Sequence, residues 1–161
     1  LYSSAASDVY KRQMVSTIQK SFKDAGVAIT KSQAKDIFKA ISKKLASLEY
    51  KVSVVKKNDK ESTVKVSSQY INYLDIFKQA KQTTLDELKP LHIEKLSDAK
   101  KQLVSNVIDS FNSAPVSNDM HDKTFTLNLQ KIKSGKNTIR IFFPEKYEEV
   151  GNKLTEIVTN Q

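Results

Sequence analysis

Tyr50-Lys51-Val52-Ser53-Val54-Val55-Lys56-Lys57, the polar Asn58-Asp59-Lys60, and then Ser62-Thr63-Val64-Lys65-Val66-Ser67-Ser68-Gln69-Tyr70 form the stretch whose reading decides the fold. Tyr50, Val52 and Val54 alternate with Lys51 and Ser53. Val64, Val66, Ser68 and Tyr70 alternate with Thr63, Lys65, Ser67 and Gln69. A period of two sends successive side chains to opposite faces of a strand. Two such runs about the turn Lys57-Asn58-Asp59-Lys60 predict an antiparallel hairpin with one wet face.

A second hairpin follows downstream. Phe125, Leu127 and Leu129 alternate, Ser134-Gly135-Lys136 supplies a turn, and Ile139, Ile141 and Phe143 return, expected on the same face. Elsewhere the period is that of a helix. Ile18, Phe22 and Ala25 recur at helical spacing and stop at Gly26. Thr30-Lys31-Ser32-Gln33 reads as a capping box. It opens a helix whose stripe is Ala34, Ile37, Phe38, Ile41, Leu45 and Leu48. Asn72 can cap the next helix, with Tyr73, Phe77, Ala80, Thr84 and Leu88 inward, and Pro90 ends it. Leu96, Ala99, Leu103, Val107, Ile108 and Phe111 give another inward stripe. Pro144 suits the first turn of a last helix carrying Tyr147, Val150, Leu154 and Ile157. The predicted order is α-α-β-β-α-α-β-β-α. Hairpins separated by helices imply an α+β, two-layer fold with a four-stranded antiparallel sheet and helices on one face.

Ser3 to Gln13 match, residue for residue, one reading frame of a common transposase-type library adapter. Residues 1–13 are therefore expected to be non-native and disordered, and are set aside from the fold argument. Residues 14–29 are then the N-terminal helix of a truncated upstream part, and residues 30–161 a single α+β domain. Lys11, Arg12 and Asp8 leave with the adapter, so the formal charge of +9 falls by one and the basic character belongs to the rest. There is no cysteine, which excludes disulfides, thiolate metal sites and cysteine nucleophiles in this chain. No apolar run is long enough to span a bilayer as a helix.

Catalytic patterns are absent. The glycines, Gly26, Gly135 and Gly151, cannot build a phosphate-cradling loop, and no serine sits in a sharp G-x-S-x-G turn. His121 lies beside Asp119 and Asp122, a grouping that could hold a metal or move a proton but reads first as a solvated loop. His92 follows Pro90 at a helix junction and reads as a capping or surface residue. The adjacent pairs Asp86-Glu87 and Glu148-Glu149 point about 100° apart on a helix and read as solvated faces. No catalytic, cofactor-binding or metal residue is assigned. Tyr50, Tyr70, Tyr73 and Phe142 are candidates for the rim of a pocket at one end of the sheet. The doublets Lys43-Lys44, Lys56-Lys57 and Lys100-Lys101 are candidate anion contacts. Lysine-dominated charge, with Arg140 the one arginine after Gln13, suits diffuse attraction to an anionic membrane surface or cell-wall polymer. It argues against base-reading contacts with nucleic acid.

Tyr50 to Lys57 with Ser62 to Val66, Leu74-Asp75-Ile76-Phe77-Lys78-Gln79-Ala80, and Lys123 to Leu129 with the turn Lys133-Ser134-Gly135-Lys136 resemble a domain family of unknown function found in lipoproteins of Gram-positive bacteria. Asn137-Thr138-Ile139 stands where that family usually has tryptophan. The resemblance implies an α+β shape similar to cystatins or nuclear transport factor-like cones. It implies export, tethering through a lipidated cysteine outside this chain, no cofactor and no enzymatic activity. The expected function is thus a non-enzymatic extracytoplasmic binding or interaction module, a fragment of a cell-surface lipoprotein. The alternative is a basic cytoplasmic protein that binds nucleic acid or an acidic partner.

Overall fold

The computed structural model describes residues 2–91 and 95–161. The elements run α1 (Tyr2–Asp24), α2 (Lys31–Ala46), β1 (Tyr50–Lys57), β2 (Glu61–Ser68), α3 (Tyr73–Leu88), α4 (Leu96–Ser113), β3 (His121–Ser134), β4 (Asn137–Pro144) and α5 (Tyr147–Thr159). This is the α+β order read from the sequence, with a four-stranded antiparallel sheet in the order β1-β2-β3-β4. The segment expected as a single domain, residues 30–161, instead contributes to two compact units. One is helical, Leu1–Ser47 with Tyr73–Ala114; the other is the sheet unit, Leu48–Asn72 with Pro115–Gln161. Sequence periodicity reports which face of a helix is apolar but not which element covers it. Here α1 packs on α2, and α4 on both α2 and α3, so these stripes find partners in one another.

In the helical unit, α1 begins at Tyr2, where disorder was expected for residues 1–13. Ala5, Ala6, Lys11, Arg12 and Gln13 are strong helix formers, and extending an anchored helix needs no new nucleus. One contact with α2 precedes residue 14: the Tyr10 ring lies edge-on to Phe38, 6.5 Å between centroids. Asp8 to Gln13 are all exposed, whereas Val15, Ile18 and Phe22 are buried. α1 ends in a Schellman motif. Gly26, at φ +87°, donates its N–H to the Lys23 carbonyl at 2.9 Å, and Val27 donates to Phe22 at 2.8 Å. The capping box is present: Gln33 N–H donates to Thr30 Oγ1 at 3.1 Å, and Thr30 N–H to Gln33 Oε1 at 2.9 Å. Ala34, Ile37, Ala40 and Ile41 are the buried face of α2.

On α3 the buried residues are Ile76, Ala80 and Thr84; on α4 they are Val104, Asn106, Val107 and Phe111. Leu96, expected inward, is 72% exposed. It opens the first turn of α4, at a cleft that Leu85, Leu88 and Leu103 also line. An aromatic cluster joins the unit. Phe77 lies edge-on to Phe22 (6.0 Å between centroids), to Tyr73 (5.0 Å) and to Phe111 (5.4 Å).

In the sheet unit, Val54 pairs with Val64, and Val64 with Phe125, so one row of apolar side chains crosses three strands. The register of β1 shifts between Val54 and Lys56, leaving Val55 as the extra residue of a bulge. Asn58 makes the first turn: its Oδ1 accepts from Lys60 N–H at 2.9 Å and Glu61 N–H at 2.8 Å. In the second hairpin, Ser134 pairs with Asn137 across Gly135-Lys136, with Gly135 at φ +63°. That two-residue loop corrects the expected face of β4. Odd residues of β3 now oppose even residues of β4, so Leu127 and Leu129 share their face with Pro144 and Phe142. Ile139, Ile141 and Phe143 lie on the other face with Ile132, Gln130 and Asn128. Pro144 is also reassigned. It ends the edge strand β4, where a missing N–H is tolerated, and α5 starts beyond it.

α5 lies on the Phe125 face. Lys123 forms an ion pair with Glu156, and the Lys153 ammonium sits 5.5 Å from the Phe125 ring centre. Ile71 N–H donates to the Val158 carbonyl at 2.9 Å. Asn160, in the left-handed region, caps the helix and donates its side-chain N–H to Asn72 Oδ1 at 2.6 Å. The Asn72 side chain, expected at the start of α3, is thereby engaged with the end of α5.

Phe111→Ala is expected to cost about 3–5 kcal/mol, read by urea denaturation, because Phe111 is fully buried in the aromatic cluster. Deleting residues 2–13 removes the Tyr10–Phe38 contact and is expected to cost about 0.5–1.5 kcal/mol in the same assay.

Candidate functional site

His121 closes the first row of β3 against Ser68, and the chain leaving β2 returns beside it. Tyr70 N–H donates to Ser117 Oγ at 2.9 Å, Ser117 N–H donates to the Tyr70 carbonyl at 3.0 Å, and Ser117 Oγ donates to the Asp119 carbonyl at 2.8 Å. Gln69 Nε2 adds a bond to the Ser117 carbonyl at 3.1 Å. This clasp fixes the Tyr70 ring flat against the His121 imidazole, 3.9 Å between centroids and 24° between planes. The Tyr70 hydroxyl donates to the Asp119 carboxylate, 3.0 Å to Oδ1 and 3.2 Å to Oδ2. The bond to Asp119, with partial desolvation and the charge of that carboxylate, holds the Tyr70 phenol above its ordinary range. Tyr73, in the helical unit, is also raised, through burial.

The three-residue grouping of Asp119, His121 and Asp122 is not assembled. Neighbouring strand residues face opposite ways, so Asp122 leaves the His121 face and meets Lys65 at 3.8 Å. Among the described residues no group of three or more His, Asp or Glu side chains could hold a metal ion. His92 lies outside the described residues. Asp86 and Glu87 diverge as helical neighbours must. Asp86 accepts from Gln82 at 2.9 Å, whereas Glu87 accepts from Asn106 at 2.9 Å and Gln102 at 2.8 Å. Asn106 also donates to Thr84 Oγ1 at 2.9 Å, a buried polar network between α3 and α4 that apolar periodicity gives no means of finding.

The candidate rim residues fall in both units. Tyr73 belongs to the helical unit and packs on Phe77 and Phe111. Within the sheet unit, Tyr50 sits in the Ser68–His121 row at one end of β1, whereas Phe142 pairs with Leu129 near the other end of the sheet, on the opposite edge strand. Only Tyr70 enters the cluster just described. The lysine doublets also separate. Lys44 donates to the Ala114 carbonyl at the end of α4 at 2.7 Å, a helix-capping role suited to a cation. Lys57 lies over the Phe142 ring at 5.3 Å. Lys100 lines a cleft of about 190 Å³ in the helical unit with Leu85, Leu88 and Leu103. Lys43, Lys56 and Lys101 are exposed.

Two surfaces of the sheet unit were not singled out by sequence reasoning. Every residue of β1 is exposed, Tyr50 at 71% and Val54 at 61%. Every residue from Gln130 to Arg140, the far part of the β3–β4 hairpin, is exposed as well.

No protein-family model matches this chain, and no curated protein does. A solved structure does: a candidate lipoprotein, YcdA, from Bacillus subtilis subsp. subtilis, superposes with a TM-score of 0.63 at 12% identity. The match covers 94% of this chain and 46% of that one, so the chain spans about half the length of the structure it resembles. At this identity the likeness concerns the fold. No helix among the described residues is long and apolar enough to cross a membrane.

Both raised phenols favour the neutral side chain in the folded state. Their contribution to stability is expected to be complete below the unfolded phenol pKa of about 10 and lost as pH rises through the folded values. Absorbance titration of tyrosinate should show Tyr70 and Tyr73 titrating late. Tyr70→Phe should remove one, and Asp119→Asn should bring the Tyr70 transition down.

Proposed function

We propose that this chain is a non-enzymatic, extracytoplasmic binding or interaction module, part of a cell-surface lipoprotein tethered through a lipidated cysteine encoded upstream. The carrying observation is the likeness to the Bacillus subtilis protein over 94% of the chain, in the architecture that the hairpin motifs implied. Two features agree with a binding role rather than chemistry. Tyr70 stacks on His121 and gives its hydroxyl to Asp119, while the Ser117 hydroxyl is held by the Tyr70 N–H and the Asp119 carbonyl rather than by a base. The exposed strand residues lie outside that cluster and offer surface for a partner. Kinship with the cystatin-like domain family of unknown function belongs to the same reading, as does preference for an anionic envelope over nucleic acid as the partner.

The deciding experiment is recovery of the intact gene, followed by labelling of the full-length product with radioactive palmitate in its host. An export signal ending in cysteine, with label in the membrane fraction, is the expected result. A ribosome-binding site placing the start at Met14, with the product in the cytosol, would return the reading to the basic cytoplasmic alternative.

A further inference from the structure

β2 pairs with β3 only as far as Glu61 opposite Asn128, with one more bond from Leu129 N–H to the Lys60 carbonyl at 2.8 Å. Beyond that point β3 and β4 continue alone, from Gln130–Ile141 to Ser134–Asn137. At about 3.3 Å per residue this two-stranded ribbon extends roughly 17 Å past the third strand. An isolated hairpin is marginal in water, and this one has no covering layer over its outer part, where Gln130 to Arg140 are all exposed.

The pairing sorts the ribbon into two unlike faces. Lys131, Lys133 and Arg140 share one face, with Lys136 in the turn. Ile132, Ile139 and Ile141 share the other; Ile132 and Ile139 sit directly opposite each other and are 41% and 45% exposed. No Asp or Glu occurs between Lys123 and Pro144. Among the described residues, Lys131, Lys133, Lys136 and Arg140 take part in no ion pair. Lys131 lies directly opposite Arg140, a like-charge pairing that costs stability unless an external anion relieves it.

We infer that the β3–β4 ribbon docks on the surface of an anionic lipid bilayer. Its isoleucine face enters the headgroup–acyl boundary, and Lys131, Lys133, Lys136 and Arg140 reach the headgroups with their apolar stems laid along the interface. A second copy of this chain would bring like charges together. A nucleic acid or wall polyanion would use the cations and leave the isoleucine face in water. A bilayer with anionic lipid satisfies both faces at once. The inference rests on the surface-tethered reading and names its partner: the tether holds the chain near the membrane and the ribbon sets which side faces it.

Sedimentation of the full chain with vesicles tests this independently of the gene-recovery experiment, since vesicle binding says nothing of lipidation. Vesicles of phosphatidylcholine with phosphatidylglycerol should bind the chain, phosphatidylcholine alone should not, and salt should weaken binding. K131E/K133E should weaken it by about twenty-five-fold or more, at about fivefold per surface cation lost. I132S/I139S, with charge unchanged, should weaken it comparably. K35E/K39E, the same charge change on the exposed side of α2, should stay within about twofold. The chain has no tryptophan, so I139W provides a lone reporter, and its emission should shift to the blue on the anionic vesicles. Equal losses in K35E/K39E and K131E/K133E, undiminished binding by I132S/I139S, or an unshifted I139W would each overturn the inference. Retention of duplex DNA that depends on the ribbon cations but not its isoleucines, without vesicle binding, would replace the bilayer with nucleic acid.

Discussion

The alignment of β3 against its two neighbours is the constraint on which the sheet unit depends. Phe125 opposite Val64, itself opposite Val54, sets the row over which α5 lies, and Lys123 to Glu156 secures that helix two residues along the same face. The same alignment carries His121 to the end of the strand, where Tyr70 covers it. Because side-chain direction has a period of two, a slip by one residue would turn Phe125 outward, detach α5 from its contacts and part the tyrosine–histidine stack together. β3 also outruns β2, and the unpaired remainder forms the ribbon with β4.

The helical unit obeys a different economy. Its interior holds an aromatic cluster, Phe22, Phe77 and Phe111, and a buried hydrogen bond from Asn106 to Thr84, with the Asn106 amide also reaching the exposed Glu87. Thr84 Oγ1 donates to the Ala80 carbonyl and accepts from Asn106, so its buried hydroxyl is satisfied both ways. Such a network fixes the rotation of α4 on α3 more narrowly than apolar contact alone, since desolvated polar groups tolerate little misalignment. Lys44 anchors the far end of α4 through the Ala114 carbonyl. A lysine that reads as surplus surface charge in the sequence thus serves a helix terminus.

Much of this architecture was legible because it is local. Gly26 and the Thr30–Gln33 capping box act over a few neighbouring residues, and the alternation around Val52 and Val66 marks strands whatever lies next to them. The β4 face was misjudged although its signal was present. A two-residue Gly135-Lys136 loop pairs odd with even positions and so turns Phe142, not Ile141, toward Leu129. The neighbours of Tyr50, Tyr73 and Phe142 were not legible for a different reason: these residues look alike in composition, yet their neighbours come from distant segments. The Tyr70–His121–Asp119 cluster was half visible, His121 and Asp119 being close in sequence and Tyr70 being 49 residues from Asp119.

By itself the sequence determined the element order, the end of α1 at Gly26 and the Thr30 cap of α2, the strand pairs within each hairpin and the basic character of the chain, since each follows from side-chain period, backbone caps or charge. Only the tertiary structure decided the pairing of β2 with β3, the division into two compact units, the partners of Tyr70 and Lys44, and the protrusion of the β3–β4 ribbon. Those depend on contacts between residues far apart along the chain. Their choice among competing apolar and polar partners is made by packing and desolvation, and neither leaves a mark in any short window of residues.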